Sequence, residues 1–124
     1  MKTDSQKCIF VIDDDKDLLK LIEIRLVRDG YQVKTLLNGS NLLDELNSQR
    51  PDLVLMDINM PHISGNALCK ILKHNASTEC IPIVIFSGNE NAATISAACG
   101  ANGFIPKPSD PGVLGREIQK YLNS

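Results

Sequence analysis

The sequence predicts an α/β domain: a doubly wound, five-stranded parallel sheet covered by helices on both faces. Three observations carry that expectation. Short, nearly continuous apolar runs alternate with amphipathic stretches, turn and cap residues separate the two kinds, and the alternation occurs five times in 124 residues, the length of one ordinary domain.

Taken in order, Ile9 to Ile12 is a compact apolar run bounded by charge, the signature of a buried strand. From Lys16 to Arg28, Leu18, Leu19, Ile22 and Leu26 recur at helical spacing, and Asp29-Gly30 stops the helix. Val33 to Leu36 reads as a second strand. Gly39-Ser40 opens a short helix carrying Leu42, Leu43 and Leu46, with Ser40 as its N-cap, and Pro51 ends that unit. Leu53 to Met56 is a third, buried strand. Ser64 caps the next helix, whose apolar face is Ala67, Leu68, Ile71 and Leu72. Ile81 to Phe86 is a fourth strand, with Pro82 acceptable at its beginning. Asn91 to Cys99 is an Ala-rich helix ended by Gly100, and Gly103 to Ile105 a short fifth strand. The last helix starts with Asp110 as N-cap and Pro111 at its first position, and buries Leu114, Ile118, Tyr121 and Leu122. Its two glycines, Gly112 and Gly115, each cost up to about 1 kcal/mol relative to Ala.

Composition narrows the function. An apolar fraction of 43% supports a single core, and 13 basic against 15 acidic residues give a net charge of −2. That balance asks for neither nucleic acid nor an anionic membrane as a direct partner, and a chain with no Trp and few aromatics offers no base-stacking surface. The apolar runs are too short to span a bilayer, and Met1 to Lys7 lacks the apolar middle of a signal peptide, so cytoplasmic residence is expected. The four cysteines, Cys8, Cys69, Cys80 and Cys99, form no C-x-x-C pair and read as reduced, mostly buried apolar residues.

In a parallel α/β sheet, ligands bind beyond the carboxyl ends of the strands, and the polar residues collect there. Asp13, Asp14 and Asp15 follow the first strand, Asp57 and Asn59 the third, Ser87 the fourth and Lys107 the fifth. Asp13, Asp14 and Asp57 brought together repel and raise one another's pKa unless a cation neutralises them. Hard oxygen ligands without soft ones suit Mg²⁺. A lysine and a hydroxyl beside that cation stabilise the oxygens of a transferring phosphoryl group, and an Asp carboxylate is an established nucleophile for aspartyl phosphate.

Four segments, Ile12-Asp13-Asp14-Asp15, Met56-Asp57-Ile58-Asn59-Met60-Pro61 with Ile63-Ser64-Gly65, Phe86-Ser87-Gly88, and Pro106-Lys107-Pro108, together resemble the response-regulator receiver family of two-component signalling. The resemblance covers essentially the whole chain in order and spacing. It implies a flavodoxin-like (βα)5 fold with strand order 2-1-3-4-5 in a single receiver domain, 1–124. It further implies that Asp57 is the phosphoacceptor, with Asp14 a direct Mg²⁺ ligand, Asp13 a ligand acting through water, and the Asn59 backbone carbonyl completing the set; Mn²⁺ is a possible substitute. Ser87 is implied as the switch hydroxyl, Lys107 as its salt-bridging companion followed by a cis peptide to Pro108, and Phe104 as an aromatic switch. Asn59 and Asn89 are expected to tune attack of water on the phosphoryl group. The partners implied are a histidine kinase or histidine phosphotransfer protein, and a downstream protein docking on the surface from Asn91 to Leu122. Gly88, Ser109 and Phe104 depart from the residues commonest at those places.

The expected function is thus a phosphorelay receiver that switches partner binding, promoting only its own phosphorylation and dephosphorylation rather than acting as an enzyme. With no effector domain after Leu122, it is expected to stand alone or shuttle phosphoryl groups, or to be a receiver cut from a longer protein. The rivals are a haloacid-dehalogenase-like phosphohydrolase, an FMN carrier of the same fold, and a phosphorylation-independent interaction module. Asp13-Asp14-Asp15 satisfies the D-x-D of the first, but no Thr or Val follows and there is no room for a cap domain. An acidic triplet would repel the phosphate of the second. Asp15 reads simply as a helix cap, and His62 and His74 as surface residues.

Overall fold

The computed structural model of the chain describes residues 6–107 and 110–122. Strands and helices alternate as β1 (Cys8–Ile12), α1 (Lys16–Arg28), β2 (Gln32–Leu36), α2 (Leu42–Ser48), β3 (Leu53–Met56), α3 (Gly65–Lys73), β4 (Ile83–Ser87), α4 (Ala92–Cys99), β5 (Gly103–Pro106) and α5 (Pro111–Leu122), with a single 3₁₀ turn (Gly39–Asn41) leading into α2. All pairings are parallel, and the sheet runs β2-β1-β3-β4-β5. Both the doubly wound sheet and its strand order match the expectation.

Successive residues of a strand face opposite sides, so a strand buried on both faces must be apolar throughout. β1, β3 and β4 are buried at every position. Phe10, Ile12, Val54, Met56, Ile83 and Ile85 join Leu42 of α2, Leu68 and Leu72 of α3 and Ala92 of α4 in one core. Ile9, Val11, Leu53, Leu55, Val84 and Ile105 face the other way, onto Leu19, Ile22 and Leu26 of α1 and Leu114 and Ile118 of α5. Each fully buried side chain of this size contributes about 1.5–3 kcal/mol. These two cores fix the sheet, and the sheet fixes what projects from its edge.

Local signals decide where the elements end. Asp15 caps α1, its carboxylate accepting from the Asp17 and Leu18 amides. Ser64 caps α3 through the Ala67 amide. Gly100, at φ +85, ends α4 in a left-handed turn, with the Ala101 amide reaching Ser96 O and the Gly100 amide Ala97 O, a Schellman closure. Asp110 Oδ1 accepts from the Gly112 amide at the start of α5.

Two details depart from the sequence reading. Asn38, not Ser40, caps the turn before α2, its carboxamide oxygen accepting from the Ser40 amide at 2.8 Å. On α3 the buried face is Leu68, Cys69 and Leu72, while Ile71 lies outside, 45% exposed. The small Cys69 side chain can approach α4 closely where Ile could not. Cys8, Cys69 and Cys99 are buried and Cys80 is exposed, and none of the four forms a disulfide. Among the described residues, no helix is long and apolar enough to cross a membrane. The Lys107–Pro108 peptide and Ser109 lie outside the described residues.

Candidate functional site

The carboxyl edge of the sheet gathers the polar residues because the strands bearing them are parallel and in register. Ile12 pairs with Met56, so the residues that follow, Asp13 and Asp57, leave β1 and β3 at the same height. The ladder runs on past the strand ends: the Asp57 amide donates to Ile12 O at 3.1 Å and the Asp13 amide to Leu36 O at 3.0 Å. Ser87 pairs with Pro106 across β4 and β5, and the Lys107 amide donates to Ser87 O at 3.0 Å. Lys107 thereby leaves the sheet edge facing the acids.

Its ammonium joins them. Lys107 Nζ lies 2.6 Å from Asp13 Oδ2 and 3.3 Å from Asp57 Oδ2, and 5.3 Å from the centre of the Phe86 ring. Asp13 and Asp57 are buried, whereas Asp14 is exposed. Carboxylate oxygens of Asp13, Asp14 and Asp57 all lie within 4.8 Å of one another, a grouping that can hold a metal ion. This is the fit expected of a hard divalent cation: oxygen donors from two adjacent strand ends, no thiol or imidazole among them, and one acid open to solvent.

Electrostatics describe a site held together by compensation. Burial drives the Asp13 carboxyl above the usual carboxylate range, and the Lys107 and Asp15 hydrogen bonds only partly oppose it. The charge of Asp57 is the smallest contributor, so desolvation, not the mutual repulsion expected from sequence, leads the shift. Burial pulls Lys107 down, but its hydrogen bond to Asp13 and the charges of Asp13 and Asp57 outweigh that and hold it above an ordinary lysine. The two shifts are consistent: the ammonium prefers to stay charged, while the poorly solvated acid beside it gains less than burial costs it.

The loop after Asp57 is built around its carboxylate and carbonyl. The Ile58 amide donates to Asp57 Oδ1 at 2.7 Å, leaving Oδ2 toward Lys107. The Gly65 amide donates to Ile58 O at 2.8 Å, closing the loop against α3. A Cβ at Gly65 would stand 1.9 Å from Asp57 O, so only glycine permits this approach. His62 sits between at φ +73, with the Ile63 amide bonded to Pro61 O at 2.9 Å, the geometry of a tight γ-turn.

Ser87 is buried, and its hydroxyl accepts from the Asn89 amide at 3.1 Å. Asn89 is half-buried and Asn59 exposed, both in loops at this same edge. Phe104, on β5, is half-buried against the core shared with α3 and α4. Asp13, Asp57 and Lys107 thus come into direct contact, with Asp14 beside them. Ser87 lies one strand away on the same edge, and Phe104 lies below it in the packing. Sequence reading assigns no role to Gly65, the Ile58 amide or the Phe86 ring. Gly65 carries a legible signal, a glycine directly after a capping serine, but a backbone amide and a ring one position from Ser87 carry none.

Comparison with known proteins agrees with this geometry. The response regulator receiver domain family model matches residues 9–119. A Vibrio cholerae sensor kinase/phosphatase for the autoinducer CAI-1, CqsS, is 32% identical over 124 residues, covering 98% of this chain and 18% of that protein. The chain spans about half the length or less of the curated relatives it matches. Among solved structures, a candidate response regulator of Chloroflexus aurantiacus superposes with a TM-score of 0.91 at 26% identity, covering 97% of this chain and 100% of that one. The receiver domain of a Syntrophus aciditrophicus histidine kinase gives 0.86 at 29%, covering 94% and 90%. Receivers of this kind are signalling switches rather than classical enzymes, and they hold a divalent metal in the acidic pocket. With the family model running from within β1 almost to the end of α5, the chain belongs to the response regulator receiver domain family.

Proposed function

We propose that this chain, read as a single receiver domain over 1–124, takes a phosphoryl group on Asp57 from a phosphohistidine of a histidine kinase or histidine phosphotransfer protein, and so changes its binding to a downstream protein. The observation that carries the reading is Lys107 Nζ held between Asp13 and Asp57 at the mouth of a three-carboxylate cluster. A carboxylate oxygen of Asp57 forms the new bond to phosphorus as the P–N bond of the donor breaks, and the imidazole departs with the electron pair and takes a proton.

Asp13, Asp14, Asp57 and the backbone carbonyl of Asn59 are the residues that would hold the metal, Mg²⁺ or Mn²⁺ as substitute. That ion supplies positive charge to the acids and to the phosphoryl oxygens. Lys107 contributes a fixed ammonium to the same oxygens, at no reorganisation cost because Asp13 already orients it. The Ile58 amide orients the Asp57 carboxylate. Ser87 gives up the Asn89 amide to donate its hydroxyl to the phosphoryl group, and Phe104 turns inward behind it. Asn59 and Asn89, at the rim, control attack of water on the acyl phosphate. The partner face is the surface from Asn91 to Leu122, and the setting is cytoplasmic, where phosphohistidine donors are made.

The test is incorporation of acid-labile phosphate from acetyl phosphate or phosphoramidate. Wild type with Mg²⁺ takes up label, and Asp57→Asn or excess chelator abolishes it. Full labelling of Asp57→Asn would reject the acceptor, and unchanged labelling in chelator would reject the metal.

A further inference from the structure

Among the described residues, one buried side-chain polar atom has no hydrogen-bond partner. Ser96, in the middle of α4, is 4% exposed, and its hydroxyl finds no hydrogen-bond partner among the described residues. Buried helical serines normally bond back to the carbonyl one turn earlier. Here the backbone carbonyl of the same residue is heavily used, accepting from the Ala101 amide and the Cys99 thiol, while the hydroxyl is idle. An unsatisfied buried donor is a free-energy cost borne by the state that buries it.

The position of this cost matters. The fully buried residues of α4 are Ala92, Ser96 and Cys99, all small, and Ile95 packs half-buried against the same core as the helix's one large apolar anchor. Its first turn is tied to the phosphoryl site by a short chain of bonds. Ser87 Oγ accepts from the Asn89 amide at 3.1 Å, Asn89 Oδ1 accepts from the Asn91 amide at 2.8 Å, and Asn89 O accepts from the Ala92 amide at 3.0 Å. When Ser87 turns its hydroxyl to another acceptor, the link that anchors Asn89 is altered, and Asn89 holds the beginning of α4.

We propose that Ser96 is a biasing residue: its unsatisfied hydroxyl raises the free energy of the resting seat of α4 and so lowers the cost of the rearrangement that phosphorylation drives. The inference rests on the receiver reading of Asp57 and Ser87, and it names what sets the balance between the two states. A ligand shifts a two-state equilibrium only by its differential affinity, so a residue that raises one state changes the apparent affinity for whatever favours the other.

The experiment compares wild type, Ser96→Ala and Thr94→Ala. Thr94 is exposed on the same helix, so its replacement improves helix propensity without touching the idle hydroxyl. Apparent affinity for beryllofluoride with saturating Mg²⁺ is measured by ¹⁹F NMR, and exchange of α4 amides by hydrogen–deuterium exchange without either ligand. Ser96→Ala is expected to bind beryllofluoride about tenfold more weakly, equivalent to about 1.4 kcal/mol, and to slow α4 exchange relative to α3. Thr94→Ala is expected to leave the affinity within about twofold of wild type, since propensity stabilises both states alike. Unchanged or tighter binding by Ser96→Ala, or the same loss in both variants, overturns the inference. If wild type binds no beryllofluoride, the receiver reading falls by itself and exchange decides: slowed α4 exchange in Ser96→Ala alone sustains the strained seat, and unslowed exchange removes it.

Discussion

Lys107 is bound first to Asp13: its ammonium stands 2.6 Å from Asp13 Oδ2 but 3.3 Å from Asp57 Oδ2. On the proposed function, the lysine competes with a divalent cation for the same acids while serving the transferring phosphoryl group. Removing it separates the two roles. Lys107→Ala is expected to bind Mg²⁺ more tightly, by up to about tenfold, because a like charge a few ångströms away is gone and the screening there is weaker than in water. Phosphorylation from acetyl phosphate is expected to slow by about 10²-fold, the scale of losing one preorganised charge at a transition state. Calorimetric titration and initial labelling rates check both. Weaker Mg²⁺ binding by Lys107→Ala would show that the ammonium organises the acids rather than opposing the metal.

The same residue shows what a sequence can and cannot disclose. That Lys107 follows a strand and shares an edge with Asp13, Asp14 and Asp57 is legible, because alternating apolar runs force a parallel sheet and parallel strands present their ends together. The strands were legible to within one or two residues for the same reason: no other element buries both faces in so short a run. Which acid the lysine prefers depends on side-chain reach across three strands, and no local pattern encodes it. Ile71 and Ser40 misled for a related reason. Helical periodicity finds a stripe but not its centre, so Cys69 takes the buried place that the pattern assigns to Ile71. A serine before a helix resembles a cap even when an asparagine two positions earlier already supplies the bond.

Tyr31 gives a pH test well away from the acidic cluster. Burial, with the Asp29 charge second, raises its phenol above the usual value. A raised folded-state pKa means that the unfolded chain ionises first. The contribution to stability is complete below about pH 10, the unfolded value, and is lost as pH rises through the folded one. Wild type is therefore expected to lose more stability than Tyr31→Phe between pH 9 and about pH 11. Urea midpoints at the two pH values measure it, and parallel losses in the two proteins would remove Tyr31 as the cause.

Cysteine chemistry is expected to be confined to one position. Cys80 is exposed, whereas Cys69 is buried and hydrogen-bonded beside Cys99, and burial followed by that neighbour pushes its thiol up to about 12. A thiol so placed presents almost no thiolate near neutrality. Iodoacetamide at pH 8 is expected to alkylate Cys80 alone among the four in the native protein, and all four in urea. Peptide mass mapping reads the pattern. Native labelling of Cys69 at the rate of Cys80 would mean that α3 and α4 separate readily.

Gly65 offers the sharpest steric test of the site. Its amide closes the Asp57 loop on Ile58 O, and a Cβ there would meet Asp57 O at 1.9 Å and Asp57 C at 2.8 Å. Both atoms are backbone, so no rotamer change can relieve the contact. Either α3 shifts outward or the loop bearing Asp57 moves. Gly65→Ala is expected to cost about 1–3 kcal/mol, the usual penalty for inserting a methyl into a closed site, and to lower Mg²⁺ affinity with it, because the loop that moves carries Asp57 and Asn59. Gly88→Ala is the matched control: its nearest neighbour would be Lys107 Cβ at 3.7 Å, an ordinary contact. Denaturant midpoints and Mg²⁺ titrations of both variants decide the matter. Loss of stability in Gly65→Ala with Mg²⁺ affinity intact would place the yielding element in α3, and loss of both would place it in the Asp57 loop.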